Sequence, residues 1–222
     1  WSGIARLLIA SRRDPERTYL DDPRLHVSPS DGYLTSGVAY AHPPHRATWW
    51  AAPLQQINWW APIYPFESRN GMAFHPHYWA RGVANDSSLF SYADWNGNQR
   101  KNAVQHVTSD TRWQPHATED LQLQPELRIV FPPGGALLFS GAQLHSTVPN
   151  TSGESRYSFD FRTIDIGDVA AGRGAPNVDS APRGTSLRDF RRLADGTRVP
   201  EEIARRFDDP SADRTTGVFA PA

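Results

Sequence analysis

The sequence predicts a mainly β domain whose antiparallel sheets close on a polar interior, and three observations carry that expectation. Arg156 to Arg162 alternates with period two, placing Arg156, Ser158, Asp160 and Arg162 on one face and Tyr157, Phe159 and Phe161 on the other. Gln55 to Ile63 does the same, with Ile57, Trp59, Ala61 and Ile63 opposed to Gln56, Asn58 and Trp60. Eight tryptophans and 19 prolines in 222 residues favour strands, turns and aromatic-lined loops over a helix bundle.

Length and composition bound the rest. The chain fits a single domain, 1–222, and nothing in it repeats. Net charge is -1, which suggests neither a nucleic-acid partner nor an acidic tail. There is no cysteine, so zinc-thiolate, iron-sulfur and disulfide chemistry are excluded, and any metal must be held by histidine and carboxylate. No run of about 18 apolar residues exists to span a membrane, and the start lacks a signal-peptide layout; a cytoplasmic protein without membrane contact is expected. The sequence opens at Trp1 within an amphipathic pattern (Ile4, Leu7, Leu8), which is expected of a chain that continues upstream.

In order along the chain, residues 2–10 read as the end of a helix stopped by Ser11 to Pro15, and Arg17 to Asp31 as a polar connection. Tyr33 to Tyr40 reads as a first strand leading to His42-Pro43-Pro44-His45. The Trp-rich strand follows, ended near an edge by Pro62 and Pro65. Residues 79–126 form a long excursion expected to cover the mouth of the domain. Within it Trp95, Trp113, Arg100, Lys101 and Arg112 offer stacking faces and anion contacts suited to a nucleotide-like or other phosphorylated substrate. A solvated loop with aromatic anchors is the plainer expectation there. Asp165 to Gly184 reads as a covering loop, and Thr185 to Leu193 and Pro200 to Phe207 (within 185–207) as helices on the outside.

Two histidines stand out. His145 ends the apolar run that starts at Ala136, and eleven positions later Arg156 heads the alternating strand. A buried arginine cannot shed its proton, so it needs an anionic partner. That partner is either Asp160 or Glu154 or a ligand. His75-Pro76-His77 has chelating spacing, but the proline between them fits packing or loop histidines better. Pro43 and Pro44 forbid a helix that would pair His42 with His45. His26, His106 and His116 sit in polar surroundings and carry no signal.

From Tyr33 to Thr163 the order of these features resembles the iron(II)/2-oxoglutarate oxygenases, and specifically their phytanoyl-CoA dioxygenase-like branch. There a His-x-Asp precedes a strand of the form N-W-x-x-P, here Asn58 to Pro62, then an acidic turn, an Asn-Gly (Asn70-Gly71) and a histidine. The second iron-binding histidine is followed by the arginine that clamps 2-oxoglutarate. The resemblance implies a double-stranded β-helix of the jelly-roll or cupin-like kind with flanking helices. It makes His45 and His145 the iron ligands, and Arg156 with Ser158 the cosubstrate clamp. Asn58, on the inward face, is a candidate for the shell of the cosubstrate or of a halide. The apolar faces of both strands are expected to pack under the helices.

The sequence departs from that pattern at the carboxylate, where it reads His45-Arg46-Ala47. Losing the carboxylate opens a metal position and removes a negative charge, which favours uptake of a small anion. In this it resembles the halogenating members of the family. The implied activity is chlorination of an unactivated aliphatic carbon of a small molecule, using iron(II), 2-oxoglutarate, chloride and O2. Three other readings remain open: a hydroxylase whose iron-binding Asp has been replaced, a chain that binds ligand without turnover, and a first histidine other than His45. From a different class, the tryptophans fit a non-catalytic ligand-binding β-sandwich. Arg46 points away from the vacancy and is expected to be structural. The lack of a basic face favours a free substrate over one tethered to an acidic carrier.

Overall fold

The computed structural model describes residues 2–36, 41–99 and 113–208. Two antiparallel sheets form its centre. The larger contains β1 (Thr18–Leu20), β2 (Arg24–Ser28), β3 (Ile57–Pro62), β5 (Leu137–Ser140), β7 (Arg156–Asp165) and β8 (Arg191–Arg192) in the order β5-β3-β7-β1-β8, with β2 also paired to β7. The smaller pairs β4 (Met72–Phe74) with β6 (His145–Thr147). Both sheets supply walls of one cavity, as expected of a double-stranded β-helix.

β7 is the hub of the larger sheet because its ten residues are long enough to pair with three neighbours. β2 and β1 share one of its edges in succession, Arg24↔Asp160 to Ser28↔Arg156 and then Thr18↔Asp165 to Leu20↔Thr163. β3 takes the other edge, from Ile57↔Thr163 to Pro62↔Ser158. β5 leaves β3 at Trp60↔Leu137, so Pro62, which has no N–H to give, has a ladder on one side only.

The stretch read as a polar connection, Arg17 to Asp31, thus supplies two strands of the main sheet. β2 alternates, but with its apolar members Leu25 and Val27 outward and Arg24, His26 and Ser28 inward, so its polar residues face the interior. Asp21, between the strands, accepts the Arg162 backbone N–H at 2.7 Å and continues the pairing through a side chain. The strand expected at Tyr33 to Tyr40 begins instead as α2 (Tyr33–Ser36), and its remainder lies outside the described residues. Its alternation was weak, and one apolar residue in two is not enough to hold a strand without a neighbour.

The helix expected over residues 2–10 is present as α1 (Ser2–Ala10), and it drops Leu8 onto Leu20, Trp59 and Phe161. Trp59 and Phe161 stack at 5.4 Å, and Trp59 Nε1 donates to Thr163 Oγ1. Here the apolar faces of β3 and β7 are covered as expected. Farther along β7 they are not: Tyr157 and Phe159 remain about 40% exposed beside Val27 and Leu25. A second cluster, Tyr19, Ile164, Val169, Leu187 and Phe190, packs under α3 (Ile166–Ala170) and α4 (Glu201–Ala204). The helix expected over Thr185 to Leu193 is a single 3₁₀ turn, Ser186–Asp189, followed by β8. Among the described residues no helix is long and apolar enough to cross a membrane.

Candidate metal and cosubstrate site

The two sheets are joined at their histidines. His45 and His145 form an antiparallel bridge, each backbone N–H donating to the other's carbonyl at 2.9 and 3.0 Å. That fixes their rings 4.4 Å apart, centre to centre. The segments reach this bridge differently. β6 is held by β4 through Phe74↔His145, whereas His45 leaves the Pro43-Pro44 turn and leads into a 3₁₀ turn, Ala47–Trp50. Proline at 43 and 44 fixes two φ angles and keeps the approach extended, as the sequence required.

Both rings are presented in the form a metal needs. His45 Nδ1 lies 2.8 Å from Pro43 O, and His145 Nδ1 lies 2.8 Å from Gln143 O. A carbonyl only accepts, so each Nδ1 carries the hydrogen and each Nε2 keeps its lone pair. Burial lowers the pKa of His145 to about 4, against the opposing pull of its carbonyl bond. Burial, then the neighbouring His145 and His42, push His45 well below its ordinary value. Two neutral imidazoles therefore stand side by side at neutral pH.

They line a cavity of about 720 Å³ that Ala47, Gln56, Asn58, Arg156 and Asp160 also line. Of the metal, halide and cosubstrate candidates His45, Ala47, Asn58, His145, Arg156 and Ser158, all line this cavity except Ser158, which is fully buried and bonded by Arg156. Arg156 Nη1 donates to Ser158 Oγ at 2.7 Å, and its guanidinium lies over the Trp60 ring at 5.4 Å. Its Nε is buried with no acceptor among the described residues. Asp160, the partner the sequence offered, is instead 2.6 Å from His26 and 2.8 Å from Arg162. The result is a guanidinium only 8% exposed and without a carboxylate at ion-pair distance, with a pKa lowered by burial to about 10.

His26 is the residue that sequence reasoning set aside and the structure returns to the cavity wall. Its signal was the reversed alternation of β2. His75 and His77 stay out of the cavity: His75 is fully buried, with Nδ1 3.2 Å from Leu123 O, and His77 Nε2 is 2.7 Å from Gln122 O. They fasten the 121–127 segment to the smaller sheet, in keeping with packing roles. His116 pairs with Asp86 at the surface, and His106 lies outside the described residues.

Arg46, between His45 and Ala47, is turned away from the cavity and buried. It donates to Asp179 Oδ2, Tyr78 O, Arg81 O and Ala142 O, while Asp179 also accepts from Trp49 Nε1 and the Val83 N–H. From the excursion, Phe90, Tyr92, Trp95 and Gln114 reach the cavity, and Trp113 meets Phe90 at its edge. Arg100, Lys101 and Arg112 lie outside the described residues. The described lining carries Asp21, Asp160 and Asp189 alongside Arg24, Arg156 and Arg162.

No protein-family model matches the chain, and no curated protein matches it. Among solved structures it is similar to EvdO2 from Micromonospora carbonacea var. aurantiaca in complex with 2-oxoglutarate, at 10% identity and a TM-score of 0.48, over 74% of this chain and 59% of that one. It is similar also to the epimerase SnoN in complex with Fe3+, alpha ketoglutarate and nogalamycin RO, at 14% identity and 0.43, over 73% and 55%. A third is the non-heme monooxygenase ThoJ, at 13% and 0.42, over 68% and 47%. The chain thus spans less than two thirds of the length of each.

Proposed function

We propose that the chain is an iron(II)- and 2-oxoglutarate-dependent halogenase acting on a small molecule. The observation that carries this reading is Arg156. A buried guanidinium facing a cavity with only a serine to bond implies an anion that arrives with the ligand. The same cavity holds two neutral histidines with free Nε2 atoms, a donor set suited to iron(II). Among the described residues no group of three or more histidine, aspartate or glutamate side chains assembles to hold a metal, which fits a two-histidine site completed by ligands that are not protein.

His45 and His145 would hold iron(II), and Arg156 the carboxylate of 2-oxoglutarate that lies away from the metal. When bound together with O2, iron(II) and 2-oxoglutarate supply an oxidant able to take hydrogen from an unactivated carbon. The chain's own contribution is placement. Ser158 and Trp60 fix the guanidinium plane before the cosubstrate arrives, so little side-chain freedom remains to be lost on binding. The Ala47 methyl leaves room beside the histidines where a carboxylate would stand. Iron(II) held there would have two neutral imidazoles as its protein ligands, which would favour uptake of a halide anion. Trp50, Phe90, Tyr92 and Trp95 give the apolar wall a small substrate would meet.

Restoring the carboxylate tests this reading against a hydroxylase that has lost its aspartate. Ala47→Asp is expected to tighten iron(II) binding by about tenfold or more, the scale that even outer ligands reach, and to abolish any chlorinated product. A variant that hydroxylates efficiently, from a parent that makes no chlorinated product with any substrate it accepts, would show the parent to be a disabled hydroxylase.

A further inference from the structure

We infer that His26, held by Asp160, receives the substrate by accepting a hydrogen bond from one of its hydroxyl or amine groups; this rests on the proposed function for what the cavity turns over. His26 lies on the inward face of β2 and lines the cavity that holds His45, His145 and Arg156. Its side chain is 45% exposed, so it is open to a ligand there. It is set apart from the cosubstrate's anchor. The Arg156 guanidinium lies over Trp60 of β3, which pairs with the opposite edge of β7 from β2.

The ring is held at one nitrogen only. His26 Nε2 lies 2.6 Å from Asp160 Oδ1, a buried oxygen with no other hydrogen-bond partner among the described residues. A carboxylate oxygen only accepts, so Nε2 carries the hydrogen at this contact. Asp160 is itself fixed. Its Oδ2 is 2.8 Å from Arg162, and Arg162 reaches Asp21 at 3.3 Å while donating its backbone N–H to the same carboxylate at 2.7 Å. His26 Nδ1 has no partner among the described residues, and in the neutral ring it keeps a lone pair. This reverses the arrangement at His45 and His145, whose Nδ1 atoms are tied to carbonyls and whose Nε2 atoms are left for a metal. An oriented acceptor in a cavity selects a ligand with an O–H or N–H to give. Trp50, Phe90 and Trp95, in the same lining, suit a ring or hydrocarbon body carrying that group. Asp160 acts through His26 as a positioning residue.

The test compares toluene, benzyl alcohol and benzylamine, probes of one ring that differ in a single group. Their binding is followed by ligand-observed NMR above about pH 8, where an ordinary imidazole is neutral, with and without iron(II) and 2-oxoglutarate. The alcohol or the amine is expected to bind about 3- to 10-fold tighter than toluene, the worth of one hydrogen bond, and the two arms show which donor is preferred. His26→Phe keeps a ring in place and should erase that preference, with 2-oxoglutarate affinity unchanged. His26→Gln, whose amide oxygen accepts, should restore part of it. Asp160→Leu should release the ring, seen in the 15N spectrum of histidine-labelled protein as loss of a single Nε2–H form of His26. A parent without the preference, or a His26→Phe variant that retains it, overturns the inference. So does a His26→Phe variant that loses 2-oxoglutarate affinity instead, since His26 would then belong to the cosubstrate clamp. A preference that His26→Phe abolishes, in a chain that binds neither iron(II) nor 2-oxoglutarate, upholds His26 as the cavity's acceptor and overturns the proposed function alone.

Discussion

Arg46→Ala is expected to lower stability by about 3–5 kcal/mol, the cost of leaving a buried charge without its partner. Asp179 is 4% exposed and its charge has no other cation at ion-pair distance among the described residues. For a domain of this size that corresponds to a melting temperature lower by about 6–20 °C. The loss is not only of charge. The Arg46 fork joins three segments, through Tyr78 O and Arg81 O, through Asp179 on the covering loop, and through Ala142 O. Ala142 precedes Gln143, whose carbonyl holds the His145 ring. Arg46→Lys therefore should not restore stability, because one ammonium cannot span acceptors set in several directions. Thermal unfolding of both variants checks this, and a melting temperature within about 2 °C of the parent for Arg46→Ala would mean that the network carries little of the fold.

Arg156→Leu is expected to separate binding from stability. Affinity for 2-oxoglutarate should fall about 100-fold or more, as for other truncated buried charge pairs. The unliganded protein, however, should be no less stable than the parent within about 1 kcal/mol. Without its cosubstrate, Arg156 has a desolvated charge and an unsatisfied Nε, and an apolar side chain of similar bulk relieves both. Thermal unfolding with and without 2-oxoglutarate reads both effects in one experiment. If instead the leucine variant were destabilised by several kcal/mol and still bound 2-oxoglutarate normally, Arg156 would be a structural residue.

Where the sequence was informative, it was so through periodicity. The inward face of β3 and β7 could be read because alternation with period two fixes which side chains share a wall, and Gln56, Asn58 and Trp60 do line the cavity with Arg156. That His45 and His145 meet could not be read from spacing, since a hundred residues separate them; it was implied only by a resemblance of motif order. β1 and β2 were hidden for a physical reason. Thr18, Tyr19 and Leu20 are buried on both faces and do not alternate, while β2 alternates with its apolar side outward.

The most direct test of iron and cosubstrate binding requires no substrate. The protein is titrated anaerobically with iron(II) and 2-oxoglutarate, with and without chloride, and the visible charge-transfer band is followed. The expected result is a band that needs both iron and 2-oxoglutarate, and that tightens or shifts when chloride is added. A chain that forms no such band under either condition, and whose thermal stability iron and 2-oxoglutarate leave unchanged, would contradict it and point to a binding module without metal.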